Sequence, residues 1–143
     1  MEYRVIVLNG VSSSGKSSIA RALQAQFPDA WLTMRIDDLI AAMPEWIMTR
    51  VAGIAFEPDG RVRVGAEFAR LEQAWMRGVA AMARAGAGVI VDDVWLSGAA
   101  SQARWRAALG DVATLWVGVH CDPAVLAERE RARGDRIIGM AAE

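Results

Sequence analysis

The stretch VIVLNGVSSSGKSSIARAL, residues 5–23, joins an apolar run, a run of small residues and an amphipathic segment. Residues 3–8 are rich in β-branched side chains, which predicts a buried strand. Residues 16–26 carry apolar side chains at helical spacing, which predicts a helix. The stretch therefore reads as a strand, a loop of small residues and a helix, in that order.

The loop from Gly10 to Ser17 matches the pattern G-x-x-x-x-G-K-[ST]. Its glycines let successive backbone N–H groups point into one concavity, and the following helix adds its N-terminal partial positive charge. In such a loop Lys16 reaches the β and γ phosphates of a nucleotide, and the Ser17 hydroxyl is a ligand for Mg²⁺. The predicted contacts of ATP are Gly10, Ser12, Ser13, Ser14, Gly15, Lys16, Ser17 and Ser18.

Lys16 is the only lysine of the chain, and the other fifteen basic side chains of the Lys and Arg type are arginines. A lysine suits this position because its ammonium is a compact charge on a flexible stem, whereas the planar fork of arginine is too wide for a loop that wraps one phosphate. The absence of a second lysine also excludes the Asn-Lys-x-Asp segment with which a regulatory GTPase reads guanine.

Further strands and helices alternate along the chain. Residues 31–36, 88–94 and 114–120 predict strands. Residues 66–85 and 99–109 predict helices, another helix runs from Asp122-Pro123 to Gly134, and Pro58-Asp59-Gly60 predicts the turn of a hairpin. This alternation predicts an α/β fold with a mostly parallel sheet and helices on both faces, whose ligands bind at the carboxyl ends of the strands.

Carboxylates follow two of the predicted strands. Asp92 ends the run 89–91, where a carboxylate commonly holds Mg²⁺, but the pattern does not decide whether Asp92 or its neighbour Asp93 faces the metal. Asp37 follows the second strand, where it is positioned to take the proton from an attacking hydroxyl. For each of these residues the alternative is a helix or turn cap, and Asp38 is a candidate cap for a helix beginning at Leu39.

Arg129, Arg133 and Arg136 are spaced four and three apart, so they share one helical face or its continuation. They either stabilise charge during phosphoryl transfer or form a solvated face paired with nearby glutamates. The apolar side chains between residues 43 and 56 form either a substrate wall or ordinary core.

Composition limits the class of protein. A chain of 143 residues has the size of one domain, and 54% hydrophobic with 23% charged residues is typical of a soluble globular protein. The net charge of −1 gives no reason to expect nucleic acid or a membrane surface as partner, and no apolar run is long enough to span a bilayer. The single cysteine, Cys121, excludes an internal disulfide, so we expect a cytoplasmic protein.

The chain resembles the chloramphenicol phosphotransferase-like family of P-loop kinases. The likeness rests on VLNGVSSSGKSS, on Trp31-Leu32 with Asp37-x-Leu39-Ile40-x-Ala42-Met43-Pro44, and on three later segments. These segments are EFARLEQAWMRGVAAMARAGA, VIVDDVWLSGAASQARWR and LWVGVHCDPAVLAERERARGDRIIGMA. The likeness covers essentially the whole chain and is more specific than the phosphate loop alone.

The resemblance implies an ATP-dependent phosphotransferase that acts on an alcohol group and inactivates chloramphenicol, an antibiotic-resistance function. It implies Asp37 as catalytic base, Gly10–Ser17 as phosphate loop, Lys16 at the phosphates, and Arg133 and Arg136 as lid arginines. The expected partners are therefore ATP and a small hydroxylated, aromatic substrate.

The chain departs from the family at its end. Family members continue past GMA with another strand and helix, so residues 1–143 are expected to form one shortened domain that lacks the last edge strand. Either the protein is a shortened form, or a homo-oligomer completes the sheet edge.

Overall fold

The computed structural model describes residues 2–95 and 97–133 of the chain. Strands and helices alternate through most of this part, as the sequence pattern predicts. In chain order they are β1 (Val5–Asn9), α1 (Lys16–Gln26), β2 (Trp31–Arg35), α2 (Ile36–Ala41), a short 3₁₀ helix (Glu45–Met48), β3 (Ile54–Phe56), β4 (Val62–Val64), α3 (Ala66–Arg84), β5 (Gly88–Asp93), α4 (Ala99–Leu109), β6 (Thr114–Gly118) and α5 (Pro123–Arg133).

Within the described residues, four parallel strands form the central sheet in the order β2-β5-β1-β6. Val5 of β1 lies opposite Val89 of β5 on one side and Thr114 of β6 on the other. Because all of these strands run in the same direction, their carboxyl ends meet at one edge of the sheet. The α/β fold with a parallel sheet is thereby confirmed, and this edge is where a ligand site is expected.

Both faces of β1 and β5 are covered, which explains why their sequences are continuously apolar rather than alternating. Ile6 and Leu8 pack with Ala20 of α1 on one face, whereas Val5 and Val7 pack on the opposite face. The partners on this opposite face come from α3, β5 and α4: Met76, Val79, Ala80, Ala83, Val89, Val91, Trp105 and Leu109. Burial of each large apolar side chain stabilises the fold by about 1.5–3 kcal/mol, so the sheet is a firm platform for the loops at its edge.

The predicted ends of two helices are confirmed. Gly86 follows α3 with φ of +101°, and its N–H bonds to the Ala83 carbonyl, so a residue without a side chain ends this helix. At the start of α5 the Asp122 carboxylate accepts a hydrogen bond of 2.8 Å from the Ala124 N–H.

The start of α2 differs from the sequence prediction. Strand β2 ends at Arg35 and α2 begins at Ile36, so Asp37 and Asp38 lie in the first helical turn instead of after a longer strand. The helix has Arg35 at its N-cap and no side-chain cap hydrogen bond, and the predicted helix start at Leu39 is wrong. Carboxylates suit this position because the first turn carries the positive end of the helix dipole.

The predicted hairpin is confirmed as the antiparallel pair β3 and β4, which forms a small sheet of its own. A third apolar cluster, built around Ile47, Ile54 and Phe68, joins this hairpin to the 3₁₀ helix and the start of α3. The hairpin is thereby held beside the carboxyl edge of the central sheet. Among the described helices, none is both long and apolar enough to cross a lipid bilayer.

Candidate active site

The loop between β1 and α1 has the conformation that its small residues allow. Gly15 has φ of +103° and Ser13 has φ of +63°. A Cβ atom on Gly10 would lie 2.5 Å from the carbonyl oxygen of Val119, so no larger residue fits there. The loop is compact and left-handed at two points, the backbone form that directs successive N–H groups toward one centre.

Two serines of this loop are buried although their side chains are polar. Ser12 and Ser14 are 2% and 6% exposed, and within residues 2–95 and 97–133 the Oγ atom of Ser14 has no hydrogen-bond partner. A buried hydroxyl without a partner costs about 1–3 kcal/mol, and a phosphate oxygen in the loop would supply the missing acceptor. The loop is therefore built to receive an anion.

Lys16 is folded back across the loop. Its ammonium donates hydrogen bonds of 2.8 Å to the Gly10 carbonyl and 2.9 Å to the Val11 carbonyl, and it lies 3.9 Å from Oδ1 of Asp92. The side chain is buried, so this charge depends on those oxygens and on nearby carboxylates for its stability. The contacts hold the ammonium between the phosphate loop and the end of β5.

The Ser17 hydroxyl donates a hydrogen bond of 2.5 Å to Oδ2 of Asp92. A hydroxyl and a carboxylate in contact are two oxygen donors of the kind that Mg²⁺ takes, so the residues fit this ion. No cluster of three or more His, Cys, Asp or Glu side chains is present in the described part of the chain. Such a site agrees with a magnesium ion that completes its shell with phosphate oxygens and water.

The structure separates Asp92 from Asp93, which the sequence pattern left open. Successive residues of a strand point to opposite faces, so Asp92 faces Lys16 and Ser17 while Asp93 faces α4. The Asp93 carboxylate accepts hydrogen bonds of 2.7 Å from the Val94 N–H and of 2.7 Å from Nε1 of Trp105. Burial raises the pKa of Asp93 to about 6, although both hydrogen bonds act in the opposite direction.

A cavity of about 970 Å³ opens beside the phosphate loop, between the hairpin, α2, α3, α4 and the end of β5. More of its wall surface is apolar than polar. Ser12 and Asp37 contribute polar groups on the phosphate side, and the polar groups elsewhere come from Arg70, Glu72, Gln73, Asp93, Ser97, Ser101 and Arg104. The apolar wall includes Ile36, Ile40, Ile54, Phe56, Val62, Val64, Phe68 and Val94. A volume of this size accommodates a drug-sized molecule.

The two roles that the sequence left open for the apolar segment 43–56 overlap. Ile54 and Phe56 line the cavity, and both also belong to or pack against the third apolar cluster. Met43 and Trp46 pack against this cluster without lining the cavity, and Met48 is 43% exposed. Only the end of the segment therefore contributes to the cavity wall.

Asp37 lines the cavity from the first turn of α2, and its side chain is exposed. Its neighbour Asp38 has a different role, because its carboxylate accepts hydrogen bonds of 2.9 and 2.5 Å from the Arg35 guanidinium. These bonds lower the pKa of Asp38 and raise the pKa of Arg35, to which the charges of Asp37 and Asp92 also contribute. Of the two adjacent carboxylates, Asp37 is the one that lines the cavity.

Two arginines of α5 lie against the phosphate loop. Nη1 of Arg129 donates to the Ser13 carbonyl at 3.2 Å and lies 3.6 Å from Sγ of Cys121, and Nη1 of Arg133 lies 3.4 Å from Oγ of Ser13. Arg136 falls outside the described residues. The family resemblance assigns roles to Arg133 and Arg136 and leaves out Arg129, although the spacing of four residues to Arg133 indicates a shared face.

Sequence reasoning missed Glu72 and Arg104. Nε of Arg104 lies 3.7 Å from Oε2 of Glu72, and burial raises the pKa of Glu72 while the Arg104 charge lowers it. The available signal was the position of Glu72, four residues after Phe68 and four before Met76, both buried. A carboxylate within the buried stripe of a helix is unusual and indicates a polar function for that site.

Comparisons with known proteins agree with this fold. A gluconokinase from Sinorhizobium meliloti 1021 superposes with a TM-score of 0.54 at 18% sequence identity, covering 94% of this chain and 67% of that protein. The protein APE1195 superposes with a TM-score of 0.52 at 19% identity, covering 91% of this chain and 67% of that protein. No curated protein matches the chain.

The sequence comparison is more specific than the structural one. The model of the chloramphenicol phosphotransferase-like proteins matches residues 3–143, which is nearly the whole chain. The phosphate loop, the parallel sheet and the kinase fold of the gluconokinase are in keeping with this match. The chain therefore belongs to the chloramphenicol phosphotransferase-like family.

Proposed function

We propose that this protein is a kinase that transfers the γ-phosphoryl group of ATP to a hydroxyl of a small, mostly apolar molecule, with chloramphenicol as the first candidate. The observation that carries the proposal is the cavity, whose wall includes both Ser12 of the phosphate loop and Asp37 and is otherwise largely apolar. A phosphoryl donor and a hydroxylated acceptor would meet at the phosphate side of this cavity.

At the donor end, the loop from Gly10 to Ser18 would bind the phosphates of ATP through its backbone N–H groups, its serine hydroxyls and Lys16. Ser17 and Asp92 would hold Mg²⁺, which neutralises charge on the phosphate oxygens when bound. Lys16 would stabilise the charge that develops on the γ-phosphoryl group during transfer.

At the acceptor end, Asp37 would act as the general base. The acceptor hydroxyl oxygen forms a bond to the γ phosphorus, and the bond from that phosphorus to the β–γ bridging oxygen breaks, so that ADP leaves. The hydroxyl proton passes to the Asp37 carboxylate. This role needs a carboxylate at the cavity wall, which the position of Asp37 supports.

The arginines of α5 would complete the charge stabilisation. Arg129 and Arg133 have guanidinium nitrogens within 3.4 Å of Ser13, so their positive charges would face the phosphates bound by the same loop. Arg136 is proposed for the same role from the family resemblance.

The apolar wall supports an aromatic acceptor over a sugar acid. One of the structural neighbours is a gluconokinase. Gluconate carries a carboxylate and many hydroxyls, which need polar partners in a binding site. The side chains of Ile54, Phe56 and Phe68 supply none and suit the ring of chloramphenicol, and the polar side chains of the wall, such as Arg70 and Gln73, belong to the smaller part of its surface. Alternatives are a kinase of another metabolite or nucleotide, and a nucleotide-binding module without transfer activity.

The test is transfer of label from γ-labelled ATP by the purified 143-residue chain with Mg²⁺, offered chloramphenicol, gluconate and a nucleoside in parallel. We expect labelled chloramphenicol as the main product. Labelling of gluconate or the nucleoside instead would replace the proposed acceptor. Tight ATP binding without any labelled acceptor would favour the nucleotide-binding module.

The same proposal has cellular consequences. The product would be an inactivated antibiotic, made in the cytoplasm where ATP is supplied. Pairing of two copies across β6, which is one of the two edge strands of the described sheet, would cover that edge.

A further inference from the structure

The cavity contains a polar group that the proposed transfer reaction does not use. Glu72 of α3 and Arg104 of α4 both line it, together with Ser97 and Ser101. Their side chains are partly shielded from water, since those of Glu72 and Arg104 are 15% and 38% exposed. A partly buried charged pair needs a reason, because its desolvation is unfavourable.

The guanidinium of Arg104 is fixed at one end and unsatisfied at the other. Nη2 donates to Oγ of Ser101 at 3.2 Å, and both Nη atoms lie 3.4 Å from Oγ of Ser97. The two serine hydroxyls are themselves bonded at 2.7 Å. The serines thereby hold the plane of the guanidinium, which turns Nε toward Glu72.

Nε of Arg104 is buried and has no hydrogen-bond acceptor among the described residues. Oε2 of Glu72 is 3.7 Å away, which is an ion-pair distance but beyond the reach of a hydrogen bond. The Nε atom is closed off from the cavity, whereas the Glu72 side chain lines the cavity and is 15% exposed. The Glu72 carboxylate is therefore the part of this pair that a hydrogen-bond donor of a ligand is able to reach.

We propose that Glu72 and Arg104 form a second anchor of the acceptor pocket, which recognises a neutral hydroxyl or amide group of the acceptor at a distance from the hydroxyl that is phosphorylated. This inference rests on the proposed kinase function. The two residues determine specificity through binding and take no part in the chemical step.

The charges of the anchor select a neutral group. A carboxylate or phosphate only accepts hydrogen bonds and is repelled by Glu72 and by the nearby Asp93, whereas an ammonium group only donates and is repelled by Arg104. A hydroxyl or an amide N–H donates a hydrogen bond to the Glu72 carboxylate and brings no charge near Arg104. A purely apolar acceptor gives this carboxylate no hydrogen-bond donor.

The first test compares Glu72→Gln with Asp111→Asn, using chloramphenicol as acceptor. Asp111 is a matched control because it also pairs with an arginine, Arg84 of α3, at 3.1 Å, but its side chain is 92% exposed. Glu72→Gln should raise the KM for chloramphenicol roughly tenfold while kcat, the KM for ATP and Tm stay near wild type, because one charged hydrogen bond is weakened. Asp111→Asn should change none of these values.

The second test identifies the ligand group by a cycle of enzyme and ligand changes. Congeners of chloramphenicol that lack the amide N–H, or one hydroxyl, are compared on wild type, Glu72→Gln and Arg104→Lys. We expect one congener to bind to wild type more weakly than chloramphenicol does. On both variants this congener and chloramphenicol should bind with equal affinity.

The outcomes separate this inference from the function on which it rests. If wild type transfers phosphate to chloramphenicol and Glu72→Gln leaves its KM unchanged, the anchor is refuted and the kinase proposal stands. The anchor is likewise refuted if each congener binds more weakly than chloramphenicol by the same factor on all three enzymes. If wild type transfers no phosphate to chloramphenicol, the proposed acceptor fails and this inference fails with it.

Discussion

The phosphate loop and the cavity beside it lie next to each other, yet the chain builds them in opposite ways. The loop is one continuous segment, residues 10–18, and its shape depends on backbone angles and on one buried lysine. The cavity is assembled from α2, the hairpin, α3, α4 and the end of β5, and its wall is mainly side chains. The loop suits a ligand part that never varies, the phosphate chain, whereas a wall of side chains from several elements is adaptable to different acceptors.

Two neighbouring carboxylates show the same division within a single strand. Asp92 faces Lys16 and Ser17 on the side of the loop, and Asp93 faces Trp105 on the side of α3 and α4. The alternation of side chains in β5 thus sends one carboxylate to the phosphate loop and the other into the wall of the cavity. Substitutions where the phosphate loop meets the cavity should therefore change phosphoryl transfer, protein stability and ligand binding independently of one another.

The largest expected effect is that of Asp37→Asn, which tests whether the cavity and the loop act on one reaction. The amide cannot accept the acceptor proton, so kcat should fall by about a thousandfold while ATP binding stays within about twofold of wild type. Transfer kinetics with chloramphenicol, together with calorimetry of ATP binding, measure the two quantities. Asp38→Asn is the matched control, since its carboxylate is bonded to Arg35, and it should keep near-normal kcat. If kcat falls by the same factor in both variants, Asp37 is not the general base.

The sequence predicts the loop well because its information is local. Gly10, Gly15, Lys16 and Ser17 are read directly from a spacing rule, and the apolar runs on each side identify the strand and the helix. The parallel sheet also follows from the alternation of strands and helices. The start of α2 was misplaced, because Ile36 continues the apolar pattern of the strand while its backbone is already helical. The first strand begins at Val5 instead of residue 3, and β6 ends at Gly118, two residues before the predicted end.

The cavity could not be predicted in the same way. Glu72 and Arg104 are 32 positions apart in the chain, and only the packing of α3 against α4 brings their side chains to 3.7 Å. The choice between Asp92 and Asp93 likewise depends on which face of β5 meets the loop. Facts of this kind lie in tertiary contacts, which a single sequence pattern does not encode.

A second prediction concerns the far side of β5, where Trp105 should matter for stability. Trp105 is fully buried and donates from Nε1 to Asp93, so Trp105→Phe leaves a buried carboxylate with one donor fewer and a small void. The free energy of unfolding, measured with urea, should fall by about 2–3 kcal/mol.

Trp95→Phe is the matched control for this effect. Trp95 packs against the same apolar cluster, but within the described residues its buried Nε1 has no hydrogen-bond partner. Its replacement by Phe removes an unsatisfied polar atom and should cost about 1 kcal/mol or less. Equal losses for the two variants would show that the void, not the bond to Asp93, controls the stability of this wall.

The smallest predicted effect tests the contact between α5 and the phosphate loop. Arg129→Gln should lower kcat/KM for ATP by about tenfold, since one positive charge near the phosphates is lost. Arg131→Gln is the control from the same helix, because Arg131 is exposed and its Nε donates to the Ala127 carbonyl of its own helix at 3.1 Å. Steady-state kinetics with varied ATP concentration measure kcat/KM for both variants. If Arg131→Gln loses as much as Arg129→Gln, the effect comes from the net charge of α5, and the contact of Arg129 with Ser13 has no special part in binding ATP.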